Sequence, residues 1–423
     1  MEFKKCVEVS YSHCWNPLLI PLLASVAIFL AGCASNPTRT SDEVPYFTSM
    51  IPLAGDETLP KKLLVFLDGT ANNPGSETNV WKLYQRIVAN RDKQTTAIYI
   101  AGVGSAESAP LSEAALGHGM ENRILDGYRF IAENYATSDE IYLFGFSRGA
   151  HQARSLAGLI SYAGVIRVTG DTSKIIDNAD RVIELVKKQR DSDHLSEWLT
   201  WSKNQPPLLA SQISQKLNIE VLPASIRFLG VWDTVPGSSL KKYGVCKEDI
   251  GVVKDKLSLL IPGVDRGERY KTDSYPAISH IAHAVSLDEK RSKFAPLLIC
   301  APIVGAQTTV TEIWFPGAHA DVGGGYEDST DLSHLTLNWM IEQLRGHYPL
   351  RAEPEYVSNA AGLAHWSMGD EPANYLSDCE DRIPPDDAQR HSSIDARRAV
   401  GLVPVRWKGE VKQMKYPIDC IRE

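Results

Sequence analysis

The feature that most constrains this chain is a G-x-S-x-G pentapeptide between a short apolar run and a helical pattern. Residues 140–146 read EIYLFGF, which is typical of a buried strand, and apolar residues recur at helical spacing from Ala150 onward. Ser147 therefore lies at a sharp turn from strand to helix, between Gly145 and Gly149. A side chain at either glycine would clash with the neighbouring strand or helix. The pattern predicts a nucleophile elbow that presents the Ser147 hydroxyl above a sheet.

The segments around this turn alternate between short apolar strands and amphipathic helices. The strand-like segments are LLVFL, TTAIYI, EIYLFGF, SIRFLGVW and TEIWFP, and SHIAHAV fits either a strand or a helix. The helical segments are NVWKLYQRIVAN, MENRILDGYRFIAENY, KIIDNADRVIELVKKQR and SHLTLNWMIEQLRGHY. This alternation predicts an α/β fold with a doubly wound, mostly parallel sheet.

The spacing of these segments suggests a division of the chain. Residues 60–345 form the expected catalytic domain. Two stretches, 168–220 and 238–276, exceed normal crossover lengths, and they are expected to be insertions over the strand ends. Residues 346–423 show little periodicity, and we expect a mostly irregular C-terminal extension of unknown role.

A serine hydroxyl becomes a nucleophile only when a histidine takes its proton and an acid orients that histidine. Among the 11 histidines, His319 follows the last predicted strand and comes after Ser147 in the chain. Asp233, at the end of FLGVWDTV, is the first candidate for the acid, and Asp288 in AHAVSLDEKR is the alternative. Asp321 is interpreted as a structural residue that caps the following glycine turn.

Two further motifs lie near the predicted strand ends. FLDGT is similar to the start of haloacid-dehalogenase-like phosphatases, but Phe66 stands where their nucleophilic aspartate would be. This strand end is instead predicted to supply an oxyanion-hole amide from Gly69 or Thr70, together with the amide of Arg148. DVGGGY lacks the ending of a phosphate-binding P-loop, and we interpret it as a turn that positions His319.

The N-terminus has the pattern of an export signal. Residues 17–32 are almost entirely apolar and follow two lysines. Sixteen residues are short for a membrane span, which needs about 20, but long enough for the core of a signal peptide. The segment ends in Leu-Ala-Gly-Cys33, which resembles a bacterial lipoprotein box. That resemblance implies a signal peptide over residues 1–32 and lipid attached to Cys33. Residues 33–59 would then be the lipidated cysteine and a flexible tether.

The expected location is the cell envelope, with the protein held by lipid at the outer membrane and facing the periplasm. Ala34 supports this expectation, because aspartate after the lipidated cysteine would suggest retention at the inner membrane. The alternative is an uncleaved N-terminal membrane helix.

Composition limits the partners and cofactors. The formal net charge of −8 argues against nucleic acid as a partner, because phosphate binding needs a basic surface. Cysteine and histidine spacings do not match a zinc site, so we expect no metal and no cofactor. In an oxidising compartment Cys379 and Cys420 are the first candidates for a disulfide. The alternative is that all four cysteines after Cys33 are free thiols: Cys246, Cys300, Cys379 and Cys420.

Six ordered motifs over residues 61–345 resemble the DUF2235 family. They are FLDGTANN, YIAGVGS, GFSRGAHQARSLAG, FLGVWDTV, HAVSLDEKR and WFPGAHADVGGGY. This family consists of α/β hydrolases and includes the catalytic domain of Tle1-like type VI secretion phospholipase effectors. The resemblance implies Ser147 as nucleophile, His319 as base and an aspartate, most simply Asp233, as acid. It also implies ester hydrolysis, with phospholipase A activity in characterised members.

The sequence therefore favours a lipid-anchored serine esterase whose substrate is a lipid or another acyl ester. Two alternatives remain open at this point. One is a catalytically idle hydrolase fold that serves as an envelope binding or scaffold protein. The other is an esterase for small soluble esters, because chain-length selectivity would be determined by the insertions.

The Cys33→Ser variant tests the predicted lipid attachment. We expect the wild-type protein to fractionate with membranes and to carry the mass of a triacylated Cys33, because three acyl chains bind a bilayer almost permanently, at about 0.8 kcal/mol per buried CH₂. The variant should lose both the added mass and the membrane association. A variant that is processed and bound like the wild type would leave the uncleaved helix as the explanation.

Overall fold

The structure is a computed structural model. It describes residues 46–105, 119–167, 174–189, 194–203, 205–236, 274–299, 307–368 and 377–420. The predicted leader, Cys33 and most of the predicted 238–276 insertion lie outside the described residues. The predicted catalytic domain and the C-terminal extension belong to one unit, Val44–Glu423.

The strands form one large sheet and two small ones. In chain order they are β1 (Thr48–Ile51), β2 (Lys62–Leu67), β3 (Thr95–Ile100), β4 (Glu140–Phe146), β5 (Val165–Ile166), β6 (Val221–Leu222), β7 (Ile226–Trp232), β8 (His280–Ser286), β9 (Thr309–Phe315), β10 (Ala364–His365), β11 (Gln389–Arg390), β12 (Leu402–Trp407) and β13 (Glu410–Lys415). Within the described residues the large sheet has the order β1-β3-β2-β4-β7-β8-β9-β11. Only β1 pairs antiparallel in it. The predicted mostly parallel α/β sheet is confirmed.

The helices lie between these strands along the chain. They are α1 (Asn79–Ala89), α2 (Met120–Asn134), α3 (Arg148–Ala163), α4 (Lys174–Lys187), α5 (Leu195–Leu199), α6 (Ala210–Leu217), α7 (His319–Gly323), α8 (Asp331–Arg345) and α9 (Ser393–Val400). The helices α4, α5 and α6 lie within the predicted 168–220 insertion. The segment SHIAHAV, which fitted either type of element, is strand β8.

Helices cover both faces of the sheet, and the side chains of its central strands are mostly apolar and buried. In β2, Leu63, Val65 and Leu67 belong to a core cluster that also contains residues of α2, α3 and α4. Leu64 and Phe66 point to the other face, where they belong to a cluster with residues of α1 and α8. All five side chains are fully buried, as expected for successive residues of a strand that is covered on both sides.

The parallel strands bring distant segments to one edge of the sheet. Ser147 directly follows β4, and Asp233 directly follows β7. His319 comes four residues after the end of β9. Because the carboxyl ends of parallel strands lie along the same edge, residues that are up to 172 positions apart meet there. No helix in the part of the chain described here is both long and apolar enough to cross a membrane.

The expectation of a flexible tether before the catalytic domain is wrong in part. Strand β1 lies within the predicted flexible tether, 33–59, and pairs with β3 from Thr48 to Ile51. A flexible tether therefore cannot extend through those residues. The TSMI segment is too short, and too exposed at Met50, for its sequence to show a clear strand pattern.

Most described residues of the C-terminal extension lie outside helices and strands, as expected, but its short elements are organised into sheets. Strand β11 adds in parallel to β9 at the sheet edge, and β10, β12 and β13 form a separate sheet. A small core of residues from both regions joins the extension to the end of the large sheet: Val285, Trp314, Ile394, Val403, Val405, Tyr416 and Ile418. Cys379 and Cys420 form a disulfide within the extension, which is the pairing considered first from the sequence.

Candidate active site

Ser147 occupies a strained turn between β4 and α3. Its φ of 57° lies in the left-handed region, which a residue with a side chain rarely adopts. A Cβ at Gly145 would lie 2.4 Å from the carbonyl oxygen of Gly149, and one at Gly149 would lie 2.2 Å from that of Leu67. Both flanking glycines are therefore required by the close approach of helix and strand, as predicted. The turn has the geometry of a nucleophile elbow.

The backbone of Ser147 is tied to the neighbouring strand. Its amide donates to the Trp232 carbonyl at 3.0 Å, and its carbonyl accepts from the Val235 amide at 3.3 Å. These two hydrogen bonds join the Ser147 turn to the chain before Asp233, at Trp232, and after it, at Val235. Arg148 follows at once as the first residue of α3, so the side chain of Ser147 lies at the amino end of a 16-residue helix.

Asp233 and His319 are in direct contact. Asp233 Oδ2 accepts from His319 Nδ1 at 2.5 Å, and Asp233 Oδ1 accepts from the Ser286 amide at 3.0 Å. A carboxylate can only accept, so Nδ1 carries the proton and Nε2 is left as the basic nitrogen. The Asp233 side chain is fully buried, and its φ of 35° makes it a second site residue with a strained backbone.

The His319 ring lies between two aromatic side chains. Its centroid is 4.6 Å from that of Phe146, the residue directly before Ser147, and 5.1 Å from that of Phe294. The Phe146 ring also occupies the space where a side chain at Gly323 would lie, because a Cβ there would come within 1.9 Å of it. The glycine-rich segment after His319 is therefore needed for the packing that positions this ring. In the described residues Ser147 makes no side-chain hydrogen bond to His319.

A buried cation neutralises the Asp233 carboxylate. Arg382 Nη1 lies 2.6 Å from Oδ1, and Arg382 Nη2 lies 3.0 Å from Oδ2. Burial alone would raise the pKa of Asp233, but the Arg382 guanidinium and the His319 contact outweigh it and hold that pKa well below its usual range. Burial lowers the pKa of His319, and the opposing effect of Asp233 does not fully offset it.

Asp288, the alternative acid, does not contact His319. Its Oδ2 accepts from the Gly317 amide at 2.6 Å and from the Tyr416 hydroxyl at 3.1 Å, and its amide donates to the Gly317 carbonyl at 3.0 Å. Gly317 has a φ of 105° and lies two residues before His319. The geometry therefore places Asp288 as a residue that holds the turn leading to His319. Burial raises its pKa.

Asp321 also has a structural environment. Its Oδ2 accepts from the amides of Ala318 and His365, both at 2.9 Å, and its Oδ1 lies 2.7 Å from His365 Nδ1. It caps the start of α7 and joins that helix to β10 of the C-terminal extension. Asp321 is therefore a structural residue, as interpreted from the sequence, but it caps the start of α7 and not the glycine turn that follows. The contact with His365 was not foreseen.

The predicted oxyanion loop follows β2. A Cβ at Gly69 would lie 3.2 Å from the Cβ of Ser147, so the loop and the elbow are adjacent. The Gly69 amide donates to Asp68 Oδ1 at 2.7 Å, whereas the Thr70 amide donates no hydrogen bond within the described residues. Of the two predicted donors on this loop, Thr70 is therefore the one that can receive an oxyanion without breaking an existing contact.

Asp68 holds this loop and was not recognised from the sequence. It accepts from the Tyr99 hydroxyl at 2.6 Å and from the Thr78 hydroxyl at 2.7 Å, in addition to the Gly69 amide. Burial raises the pKa of Asp68 to about 6, although these three hydrogen bonds lower it in part. The aspartate of FLDGT is thus a buried support for the loop beside Ser147.

Two charged residues near His319 also escaped sequence reasoning. Glu289 accepts from the His319 amide at 3.2 Å and pairs with Arg291 at 2.8 Å, and it is fully buried. Arg382 lies 149 positions from Asp233, in a region without a recognisable pattern. A buried Glu could have been suspected from LDEKR at the end of β8, but no local signal points to Arg382. Within the described residues no cluster of His, Cys, Asp and Glu could hold a metal ion.

A family model matches most of the chain. Residues 61–343 match the model of the type VI secretion system phospholipase effector Tle1-like catalytic domain. A Saccharomyces cerevisiae protein named as uncharacterized is 25% identical over 254 residues, which are 56% of this chain and 32% of that protein. The chain therefore spans about a third of the length of this curated relative.

Solved structures show weaker likenesses. An uncharacterized protein from Pseudomonas aeruginosa is 16% identical with a TM-score of 0.37, covering 71% of this chain and 49% of that one. A Tle1 effector bound to the VgrG spike of the type 6 secretion system is 18% identical with a TM-score of 0.31, covering 70% and 56%. An esterase from Thermogutta terrifontis is 13% identical with a TM-score of 0.38, covering 74% and 94%.

The match to the family model spans more than half of the chain and includes the Ser147 elbow, Asp233 and His319. The family predicted from the six sequence motifs is therefore confirmed. This chain belongs to the Tle1-like phospholipase effector catalytic domain family, a family of lipid and ester hydrolases.

Proposed function

We propose that this protein is a serine hydrolase that cleaves acyl esters of lipids at the bacterial envelope, with Ser147, His319 and Asp233 as its catalytic triad. The observation that carries the proposal is the buried contact between His319 Nδ1 and Asp233 Oδ2, next to a serine in a strained elbow. A family of phospholipase effectors supports the lipid substrate.

In the first step His319 Nε2 takes the proton of the Ser147 hydroxyl as Oγ attacks the ester carbonyl. Asp233 stabilises the imidazolium that forms, and the Nδ1 contact keeps the ring in the required tautomer. The tetrahedral intermediate places a negative charge on the former carbonyl oxygen. We expect the amides of Arg148 and Thr70 to stabilise that charge, because they flank Ser147 at the start of α3 and on the loop after β2.

The intermediate collapses when His319 gives its proton to the leaving alcohol, which for a phospholipid is the lysophospholipid. The acyl group is then bonded to Ser147 Oγ. In the second step His319 takes a proton from water, the hydroxide attacks the acyl-enzyme, and the fatty acid leaves as Ser147 regains its proton. The pKa of His319 lies below the ordinary histidine value, so the imidazole is neutral and ready as a base at neutral pH.

The idle-scaffold alternative is disfavoured by the strain at this site. Both Ser147 and Asp233 hold positive φ values, at a cost on the order of 1–3 kcal/mol each. A scaffold function gives no reason to keep two strained backbones, a buried charged carboxylate and a contacting histidine in one place. The small-ester alternative shares the same chemistry and differs only in substrate.

The expected location follows from the family and from the Cys33 prediction together. A lipid at Cys33 would hold the enzyme at the membrane surface, where a phospholipid substrate is concentrated. The family name associates related domains with type VI secretion. We propose envelope anchoring for this chain, and secretion as an effector is the alternative.

Ser147→Ala should abolish hydrolysis and leave the fold intact. The change removes one hydroxyl, and we expect the free energy of unfolding to shift by less than about 1 kcal/mol. The measurement is fatty-acid release from phosphatidylethanolamine vesicles, beside hydrolysis of a short-chain nitrophenyl ester. Ser155 is a buried serine within α3, so Ser155→Ala is the matched control and should keep its activity. Vesicle hydrolysis that persists in Ser147→Ala would refute the nucleophile assignment. A wild-type protein that hydrolyses the short ester but not the vesicles would favour a small-ester enzyme.

Asp233→Asn and Asp288→Asn separate the two candidate acids. We expect Asp233→Asn to lower kcat by roughly 10⁴, because the amide no longer fixes the imidazole in the right tautomer. Asp288→Asn should retain most of kcat but lower the midpoint of thermal unfolding, because it weakens the bonds to Gly317 and Tyr416. Steady-state kinetics and thermal denaturation of both variants measure this. The opposite pattern of kcat losses would exchange the two roles.

A further inference from the structure

We propose that Arg382, which the C-terminal extension supplies, is a positioning residue that orients the Asp233 carboxylate toward His319. This inference rests on the proposed function for its catalytic consequence. It also assigns a role to a part of the chain, residues 346–423, that lies outside the region matched by the family.

The contacts show a guanidinium that binds both carboxylate oxygens and two backbone carbonyls. Arg382 Nη1 donates to Asp233 Oδ1 and to the Ser286 carbonyl, both at 2.6 Å. Arg382 Nη2 donates to Asp233 Oδ2 at 3.0 Å and to the Phe294 carbonyl at 2.5 Å. This planar fork sets the rotation of the carboxylate, because both oxygens are bonded at once. With that rotation set, Oδ2 lies 2.5 Å from His319 Nδ1.

Burial makes this pair more than a surface ion pair. The side chains of Arg382 and Asp233 are 6% and 0% exposed. A buried carboxylate that lost its cation would be left with one amide and the histidine as its partners, and removing one member of a buried pair is strongly destabilising. Against this burial, Arg382 makes the largest of the contributions that lower the pKa of Asp233, and His319 makes the next.

The segment that carries Arg382 is fastened immediately before that residue. Cys379 forms the disulfide with Cys420, and its backbone forms an antiparallel β-bridge with that of Arg291. The Glu380 amide donates to the Lys290 carbonyl at 2.8 Å. Asp381 pairs with Lys290 Nζ at 2.6 Å. Three consecutive residues are thus tied to the segment after β8, which also contains Glu289. These ties place the guanidinium accurately although it comes from a separate region of the chain.

The charges around His319 determine what loss of Arg382 would do. Asp233 contacts the ring, Glu289 accepts from its backbone amide, and Arg291 and Arg382 are the nearby cations. Removing the positive charge of Arg382 leaves Asp233 and Glu289 opposed by Arg291 alone. Asp233 then has the His319 ring as its remaining charged partner, so the ion pair of carboxylate and imidazolium is favoured and the pKa of His319 should rise. Because the base must be neutral, activity at the acid side of the pH profile would be lost at a higher pH than in the wild type.

Three variants separate charge, geometry and general stability. Arg382→Gln removes the charge, and we expect kcat to fall at least tenfold with little change in KM and the acid limb of kcat/KM to move up by about one pH unit. Arg382→Lys keeps the charge but not the fork, so its acid limb should stay near that of the wild type while its kcat falls. Arg397→Gln is the matched control. Arg397 is fully buried in the same extension and donates to the carbonyls of Ala360 and Gly362.

A readout without substrate keeps this test separate from the proposed function. The titration of His319 is measured by NMR of ¹⁵N-histidine-labelled protein, and its signal is identified by its loss in His319→Gln. We expect a higher titration midpoint in Arg382→Gln and unchanged midpoints in Arg382→Lys and Arg397→Gln, with thermal unfolding confirming that each variant is folded.

The outcomes are distinct. A raised midpoint in a protein that hydrolyses no ester would support the role of Arg382 and refute the proposed function. An active enzyme whose midpoint and acid limb do not move in Arg382→Gln, or move equally in Arg397→Gln, would overturn the inference and leave Arg382 as a structural residue.

Discussion

A charged carboxylate buried without access to water is the constraint on which the rest of this site depends. Asp233 has no exposed surface, and an isolated buried carboxylate would take up a proton and could no longer support an imidazolium. The Ser286 amide, His319 and Arg382 together keep it charged. Each of these partners comes from a different part of the fold.

This requirement explains the arrangement of the C-terminal extension. Its residues contact three of the aspartates at the active edge of the sheet: Arg382 binds Asp233, Tyr416 binds Asp288, and His365 binds Asp321. A disulfide and a small apolar core hold the extension in place. The extension therefore contributes contacts to the proposed site that residues 60–345 do not supply.

Sequence reasoning succeeded where the chemistry is encoded locally. The turn at Ser147 requires small residues two positions on either side, and such a requirement leaves a short motif. The strands of the sheet centre are equally visible, because burial on both faces favours nearly continuous apolar runs. The order of serine, acid and histidine then narrowed the candidates to Asp233 and His319, which the structure brings into contact.

The features that the sequence did not reveal depend on distant contacts or on very short or exposed elements. Arg382 pairs with a residue 149 positions away, and an ion pair across that distance leaves no local pattern. The strands β10 and β11 have two residues each, and β13 is exposed along most of its length, so none shows a usable periodicity. The sequence could not decide whether Gly69 or Thr70 supplies the oxyanion-hole amide. The Gly69 amide donates to the Asp68 side chain, and the sequence does not show that hydrogen bond.

We propose that the buried pair of Asp233 and His319 activates Ser147 as the nucleophile. The most direct test of this proposal is to react the wild-type protein with a fluorophosphonate and to locate the adduct by mass spectrometry of its peptides. The account predicts one phosphonyl group per chain, on Ser147, with labelling that slows in acid as His319 becomes protonated. An adduct on another residue, or no adduct in a preparation that hydrolyses esters, would contradict it.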